Sequence, residues 1–225
     1  MSFSVINRRN FLKTVVAGSA SCMLPEVAAA ETNKPAPLNI LLILVDDLGK
    51  EWISCYGAED VATPHIDALA AGGMKFTNAY SMPQCTPSRV TLLTGKYPCH
   101  TGWVNHWDVP RWGVGYFDWK QRENITFARL LKQQGYATCA AGKWQINDFR
   151  LEPLVMEKHG FDEWCMWTGS ETGNPPSEER YQDPYINTRE GSKTYAGKFG
   201  PDMYADFLID FMKRHRDEPM CLYYP

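Results

Sequence analysis

A cysteine and an arginine lie four positions apart in the segment Cys85-Thr86-Pro87-Ser88-Arg89. Pro87 has a fixed φ and no N–H, so it suits the first position of a helix. Cys85 would then lie just outside the helix N-terminus, where free N–H groups and the macrodipole favour negative charge. Arg89, one turn further on, can point to the same side as the cysteine. The segment therefore predicts a site that binds an anion and carries a reactive side chain.

Two adjacent carboxylates follow an apolar run. Residues 38–45 are continuously apolar apart from one asparagine, which is typical of a strand buried on both faces of a parallel sheet. Asp46 and Asp47 come directly after this run, at the edge where open α/β sheets place their ligands. Two such oxygen donors suit Ca²⁺ or Mg²⁺ and would repel each other without a cation. The alternative for such a pair is an ordinary solvated turn.

The rest of the chain alternates between helical and extended patterns. We predict helices that start at Thr63-Pro64 and cover 125–134 and 203–216, and strands or extended segments over 74–80, 136–141 and 220–224. Residues 167–200 are rich in Gly, Pro, Ser and charge, and we interpret them as a long surface excursion. This alternation predicts a doubly wound α/β architecture.

The motif C-T-P-S-R-x-x-L-L-T-G resembles the signature of the type I sulfatases, and V-D-D-L-G resembles their metal-binding motif. The resemblance implies that Cys85 is oxidised to formylglycine, an aldehyde whose hydrate is the nucleophile. It also implies that Asp46 and Asp47 bind a divalent cation, usually Ca²⁺ and alternatively Mg²⁺, which contacts the modified residue 85. The implied fold is alkaline-phosphatase-like, with a doubly wound, mixed and mostly parallel sheet flanked by helices.

Residues 135–145 resemble the second sulfatase signature. By that resemblance Lys143 binds the sulfate, although an exposed surface lysine is the ordinary alternative. Gln145 stands where the family most often has a histidine that takes a proton from the formylglycine hydroxyl. Glutamine can donate or accept a hydrogen bond but cannot act as a general base near neutral pH. His100 follows the nucleophile helix, and we expect it at the pocket rim in contact with substrate.

An aromatic group follows His100, and it has two interpretations. His106 with Trp103, Trp107 and Trp112 could form a wall that faces a sugar or an aryl group. Packing in a core or an interface is the alternative, because large aromatic side chains mostly fill such places.

The resemblance implies a two-step hydrolysis of sulfate esters. One hydroxyl of the hydrate attacks sulfur and the alcohol departs; the second hydroxyl then loses its proton and expels sulfate. Arg89, Lys143 and the cation neutralise the charge. The predicted class is a sulfuric ester hydrolase, with sulfated polysaccharides as candidate substrates. Two alternatives stay open: a phosphatase or phosphodiesterase of the same superfamily, and a non-catalytic secreted binding module, which Gln145 motivates.

Composition and the N-terminus bear on location and partners. The 225 residues have a net charge of −3 and are 44% hydrophobic, which predicts a folded domain and no nucleic-acid partner. No apolar stretch reaches the length of a membrane span. Residues 7–13 resemble the twin-arginine export motif, and Ala28-Ala29-Ala30 resembles a cleavage site. We therefore predict a signal peptide over 1–30, a linker over 31–37, and a periplasmic or secreted protein that meets the twin-arginine translocase and a formylglycine-generating enzyme.

The resemblance from residue 38 to residue 225 covers about the first half of a typical sulfatase catalytic domain. We therefore expect the chain to be a truncated, N-terminal part of that domain with little activity by itself, or a fragment that does not fold alone. Apart from Cys85 and the signal-peptide cysteine, five cysteines remain, and their spacing predicts neither a zinc site nor a particular disulfide pairing.

Overall fold

The computed structural model describes residues 37–105, 124–150, 152–167, 169 and 179–225. The predicted signal peptide, most of the linker, and His106, Trp107 and Trp112 lie outside the described residues. The strands in chain order are β1 (Ile40–Ile43), β2 (Ala137–Lys143), β3 (Glu163–Trp167), β4 (Tyr185–Thr188), β5 (Gly191–Thr194) and β6 (Met220–Tyr224). The α-helices are α1 (Pro64–Gly72), α2 (Cys85–Thr94), α3 (Pro98–Thr101), α4 (Phe127–Gln133), α5 (Val155–Lys158) and α6 (Gly200–Arg214), with 3-10 turns at Lys50–Trp52 and Ser54–Tyr56. Among these helices, none is both long and apolar enough to cross a membrane.

The strands form one sheet in the order β1-β6-β2-β3-β4-β5. The first four strands in this order are parallel, and β4 and β5 continue the sheet as an antiparallel hairpin. β6, the last strand along the chain, lies between β1 and β2. All four parallel strands therefore present their carboxyl ends at one edge. This arrangement confirms the predicted α/β class with a mixed, mostly parallel sheet.

Hydrophobic cores lie on both faces of the sheet, because successive side chains of a strand point to opposite faces. In β2, Ala140 belongs to a core with Val90 of α2 and Trp144. Its neighbours Cys139 and Ala141 belong to a second core, which α6 covers with Tyr204, Leu208 and Phe211. The side chains of β2 at these positions are small, which lets helices approach the sheet from both sides. The central strands are thus fixed between two layers.

The prediction that residues 38–45 are buried on both faces is wrong. β1 is shorter than the apolar run, and it lies at an edge of the described sheet with β6 as its one strand neighbour. Leu41 and Ile43 are 49% and 53% exposed. An edge strand of this kind has apolar side chains that no second strand or helix of the described residues covers.

The interpretation of 167–200 as a surface excursion is also wrong in part. The β4–β5 hairpin extends the sheet, and Tyr185 and Ile186 are buried. Trp164 of β3 donates its indole N–H to Asn187 Oδ1 at 2.7 Å. This hydrogen bond satisfies the buried side chain of Asn187, a residue type that is more common in loops than in strands. The segment 74–80, for which we predicted a strand or extended chain, contains no regular strand.

Candidate active site

Cys85 is the first residue of α2. Gln84 precedes it as an extended N-cap residue with φ −131° and ψ 155°. The helix therefore begins two residues before Pro87, which occupies the third position rather than the predicted first. Proline is tolerated there because the first N–H groups of a helix have no partner within the helix. Ser88 donates its hydroxyl to Met82 O at 2.8 Å, which holds the chain that leads into the helix.

Arg89 joins three of the predicted motifs. Its side chain is 1% exposed. One guanidinium nitrogen donates to Asp46 Oδ1 at 2.8 Å, and another donates to the main-chain oxygen of Lys143 at 2.9 Å. A planar guanidinium with several fixed donors suits such a position, because it can bind a carboxylate and a carbonyl at once. Arg89 thereby fixes the ends of β1 and β2 relative to α2.

Lys143 ends β2 and donates its ammonium to Asp46 Oδ2 at 2.6 Å. The glycine before it is required by the close approach of Pro225, the residue after β6. Gly142 has a φ of +125°, and a Cβ at this position would overlap the carbonyl oxygen of Pro225. That oxygen accepts a hydrogen bond from Lys143 N at 2.8 Å. The Gly-Lys pair therefore places the lysine beside the carboxylate at the end of β1.

Gln145 contacts the start of the nucleophile helix. The Cys85 thiol donates to Gln145 Oε1 at 3.4 Å, and the Thr86 hydroxyl donates to Gln145 O at 3.0 Å. The backbone of Gln145 is left-handed, with φ +48°. This conformation is uncommon for residues other than glycine and tends to occur at functional sites. The amide oxygen of Gln145 thus lies where the predicted nucleophile can reach it.

Asp46 is the electrostatic centre of the site. Its burial alone would raise its pKa, but the hydrogen bond from Lys143 and the charges of Lys143 and Arg89 outweigh burial and hold the pKa below its ordinary value. Arg180 adds a third cation, with Nη1 3.8 Å from Asp46 Oδ2. Asp46 is therefore ionised at neutral pH and surrounded by positive charge.

Two cavities of about 330 Å³ each lie on either side of Asp46. The first, which we call the cysteine cavity, is lined by Cys85, Arg89, Asp47, Gln84 and Ser88 among others. The second, the aromatic cavity, is lined by Lys143, Trp167, Arg180, Tyr181, Tyr204 and Tyr224 among others. Both include Leu44, Val45 and Asp46 in their walls. The site thus has a polar compartment with the cysteine and a largely apolar compartment next to it.

Asp46 and Asp47 fit part of a coordination shell for a hard divalent cation. Both line the cysteine cavity, and carboxylate oxygens are the donors that such cations prefer. Calcium takes about six to eight oxygen ligands, and the described residues contain no group of three or more His, Cys, Asp or Glu side chains that could hold a metal. The pair can therefore supply a part of the ligand set, and in this structure Asp46 is bound by Arg89 and Lys143.

The structure brings together Cys85, Arg89, Asp46, Asp47, Lys143 and Gln145 from the predicted set. His100 is exposed on α3 and lines neither cavity, so its contact with substrate stays a prediction. Trp103 is fully buried in a core, in agreement with the packing alternative.

Sequence reasoning missed Trp167, Arg180 and Tyr181 in the aromatic cavity. They fall within or at the start of the segment interpreted as a surface excursion. That segment has no hydrophobic periodicity, so no local signal could have found them.

Solved protein structures share this fold. This chain matches the structure of BT4656 in complex with its substrate D-glucosamine-2-N,6-O-disulfate, with a TM-score of 0.65 and 29% sequence identity. The match covers 84% of this chain and 34% of the BT4656 chain. The fold is that of the alkaline-phosphatase-like α/β proteins, of which this chain contains a part.

The Sulfatase family model matches residues 38–225, so the chain belongs to the sulfatase family. It is 31% identical over 208 residues to N-acetylglucosamine-6-O-sulfatase from Bacteroides thetaiotaomicron, and this alignment covers 91% of this chain and 32% of the relative. It is 40% identical over 163 residues to mouse (Mus musculus) steryl-sulfatase, and this alignment covers 67% of this chain and 25% of the relative. The chain thus spans about a quarter to a third of the length of these two relatives.

Proposed function

We propose that the chain supplies the nucleophile, the sulfate-binding cations and part of the metal site of a formylglycine-dependent sulfatase. The observation that carries the proposal is the convergence of Arg89 and Lys143 on the carboxylate of Asp46, in the wall of a cavity that Cys85 also lines, within a chain of the sulfatase family. The substrates would be sulfate esters, with sulfated sugars as the class that the named relatives suggest.

Each side chain of the site has a distinct task in this proposal. Arg89 lines the cysteine cavity and Lys143 lines the adjoining aromatic cavity, and both donate to Asp46, which lies in the wall of both cavities. From these positions the two cations can bind the sulfate group and neutralise charge that develops on its oxygens. Both are hydrogen-bonded to Asp46, so they are held in place before substrate arrives, and little reorganisation is needed during the reaction. Gln145 orients the group at position 85 through its amide oxygen.

A formylglycine made from Cys85 would supply a hydrated aldehyde as nucleophile, and a divalent cation, Ca²⁺ in our proposal, would polarise it and a sulfate oxygen. Asp46 and Asp47 would hold that cation from the wall of the cysteine cavity. The unmodified thiol of Cys85 donates to Gln145 Oε1, so the side chain already points toward the group that would orient its modified form.

We further propose that the protein is exported through a twin-arginine signal at residues 1–30 and acts in the periplasm or outside the cell. The support is the ordered succession of the Arg8-Arg9 pair, an apolar stretch and Ala28-Ala29-Ala30 in the sequence. The formylglycine-generating enzyme would then act on Cys85 before the folded protein leaves the cytoplasm.

The reaction class is tested by a pair of matched esters. We expect the whole protein, produced together with a formylglycine-generating enzyme, to release sulfate from 4-nitrophenyl sulfate at least about tenfold faster than phosphate from 4-nitrophenyl phosphate. Turnover of the phosphate ester without the sulfate ester would favour the phosphatase alternative. Binding of sulfate esters with no turnover of either compound would favour the non-catalytic binding module.

A substitution at Gln145 tests the proton transfer. We expect Gln145→His to add a titrating base with a pKa of about 6.5 to the pH dependence of kcat and to raise kcat by roughly 10²-fold above that pH. Histidine is among the residues that tolerate the left-handed backbone at this position. Gln145→Asn is the matched control, because it keeps an amide without a base and should show no new ionisation. A pH profile that is the same in Gln145→His and wild type would show that position 145 does not face the reacting group.

A further inference from the structure

Arg180 lines the aromatic cavity and lies over two of its aromatic rings. Its guanidinium lies over the ring of Trp167, at 5.4 Å from the ring centroid, and over the ring of Tyr181, at 4.8 Å. Its nearest carboxylate oxygen is Asp46 Oδ2, at 3.8 Å, which is beyond hydrogen-bonding distance. The side chain is 37% exposed. Two aromatic rings therefore hold a partly exposed guanidinium in the wall of the cavity.

The donors of Arg180 differ from those of the other two cations of the site. Arg89 and Lys143 both donate to Asp46 at normal hydrogen-bond distances. Within the described ranges, the guanidinium of Arg180 makes no hydrogen bond to the protein. A stacked guanidinium with five N–H donors in a fixed plane is well suited to bind a sulfate or carboxylate with two parallel hydrogen bonds.

The charge of the aromatic cavity favours an anion. Among the side chains in its walls, Lys143 is paired with Asp46 at 2.6 Å, whereas Arg180 lies 3.8 Å from the same carboxylate, so the charge of Arg180 is the less compensated of the two. The remaining walls are mostly apolar and aromatic, with Trp167, Tyr181 and Tyr204 among them. Of these rings, Tyr181 is 53% exposed, and an exposed aromatic side chain provides a flat surface for the face of a ring. A ligand that matches these walls has a ring and an acidic substituent.

The two cavities adjoin at Asp46, so two parts of one substrate could lie in different cavities. Cys85 lines only the first cavity and Arg180 only the second, and Asp46 lies in the wall of both. We infer that the aromatic cavity with Arg180 is a second anion subsite, which selects ring-shaped sulfate esters that carry another sulfate or carboxylate group. This inference rests on the proposed function, because it assumes that the ester to be cleaved lies in the cysteine cavity.

The test measures equilibrium binding, so that it does not depend on turnover. The whole protein with Cys85→Ala is titrated by calorimetry with glucose 6-sulfate and with the three glucose disulfates that carry the second sulfate at O2, O3 or O4. We expect at least one disulfate to bind roughly tenfold more tightly than the monosulfate, because a charge-assisted bidentate contact is added. In a protein that also carries Arg180→Met, we expect this ratio of affinities to fall to about one. Arg180→Lys should keep part of it, because lysine retains the charge without the planar fork.

Arg189 provides a matched control. It also lies over a tryptophan, at 5.7 Å from the ring centroid of Trp164, but it lines neither cavity. Arg189→Met should therefore leave the ratio unchanged. Equal affinities for the monosulfate and every disulfate, a ratio that survives Arg180→Met, or an equal loss in Arg189→Met would each overturn the inference.

The calorimetric ratio separates this inference from the proposed function. If the Cys85→Ala protein binds a disulfate more tightly than the monosulfate, but the wild-type protein hydrolyses no sulfate ester, the subsite is supported and the proposed function is refuted. If the wild-type protein releases sulfate rapidly, but the Cys85→Ala protein shows no preference for disulfates, the proposed function is supported and the subsite is refuted.

Discussion

Cys85→Ala will lower the rate of sulfate release by the whole protein by at least about 10⁴-fold, because the proposed nucleophile is removed. Cys85 lines the cysteine cavity and donates its thiol to Gln145 Oε1, so its replacement removes the proposed reacting group at the start of α2. Since Arg89 and Lys143 remain, the variant should still bind sulfate esters. The measurement is kcat for 4-nitrophenyl sulfate in wild type and variant.

Cys99→Ala is the control for that experiment. Cys99 is a free and exposed cysteine on α3, and it lines neither cavity. Its replacement should leave kcat within about twofold of wild type, because surface substitutions of this kind have small effects. A Cys85→Ala variant that keeps a tenth or more of the wild-type rate would contradict the assignment of Cys85 as nucleophile.

Arg89→Ala will have the second large effect, and it will reduce both stability and activity. Removing the guanidinium takes one of two hydrogen-bonded cations from Asp46 and removes a donor from the main-chain oxygen of Lys143, and the loss of such buried contacts costs about 1–3 kcal/mol. Arg89 is 1% exposed, and its loss would leave the carboxylate of Asp46 with Lys143 and the more distant Arg180. We also expect kcat to fall by about 10²–10³-fold, since one charge that stabilises the sulfate oxygens is gone.

The stability effect is measured as the free energy of unfolding in urea. Arg189→Ala is the control, because Arg189 is an arginine with a 63% exposed side chain that lies outside the site. Its replacement should change the free energy of unfolding by less than about 0.5 kcal/mol. A loss below about 1 kcal/mol in Arg89→Ala would show that the buried contacts of Arg89 do not hold α2 to the sheet.

The residues that converge on Asp46 could be predicted from the sequence because each follows a strand or begins a helix. Asp46 comes after an apolar run and Lys143 after another, and parallel strands bring such ends to one edge of a sheet. Cys85 and Arg89 stand one helical turn apart, so a helix that begins near that edge carries both to the site. Short-range patterns were sufficient for these placements.

Long-range pairing could not be predicted in the same way. Nothing in residues 220–224 indicates that the last strand lies between β1 and β2, since strand order depends on packing between distant segments. The burial of β1 was overestimated for this reason, because an apolar run does not show how many neighbours the strand will have. The β4–β5 hairpin was missed because its buried residues Tyr185, Ile186 and Asn187 are consecutive and do not alternate.

Arg180 illustrates what a local pattern cannot supply. It lies in a polar segment before β4, and it reaches the site because that segment passes close to Trp167 and Asp46. Its ring contacts and its distance from Asp46 come from tertiary structure alone. The sequence therefore indicated the chemistry of the cysteine cavity and gave no sign of the neighbouring aromatic one.

The central claim is that Cys85 is converted to formylglycine, and the mass of one peptide tests it most directly. Trypsin releases residues 76–89, which contain Cys85, from protein produced together with a formylglycine-generating enzyme. We predict a peptide that is lighter than the cysteine form by the difference between CH₂SH and CHO and that reacts with a hydrazide. A peptide that keeps the full mass of the thiol and does not react with hydrazide would contradict the account.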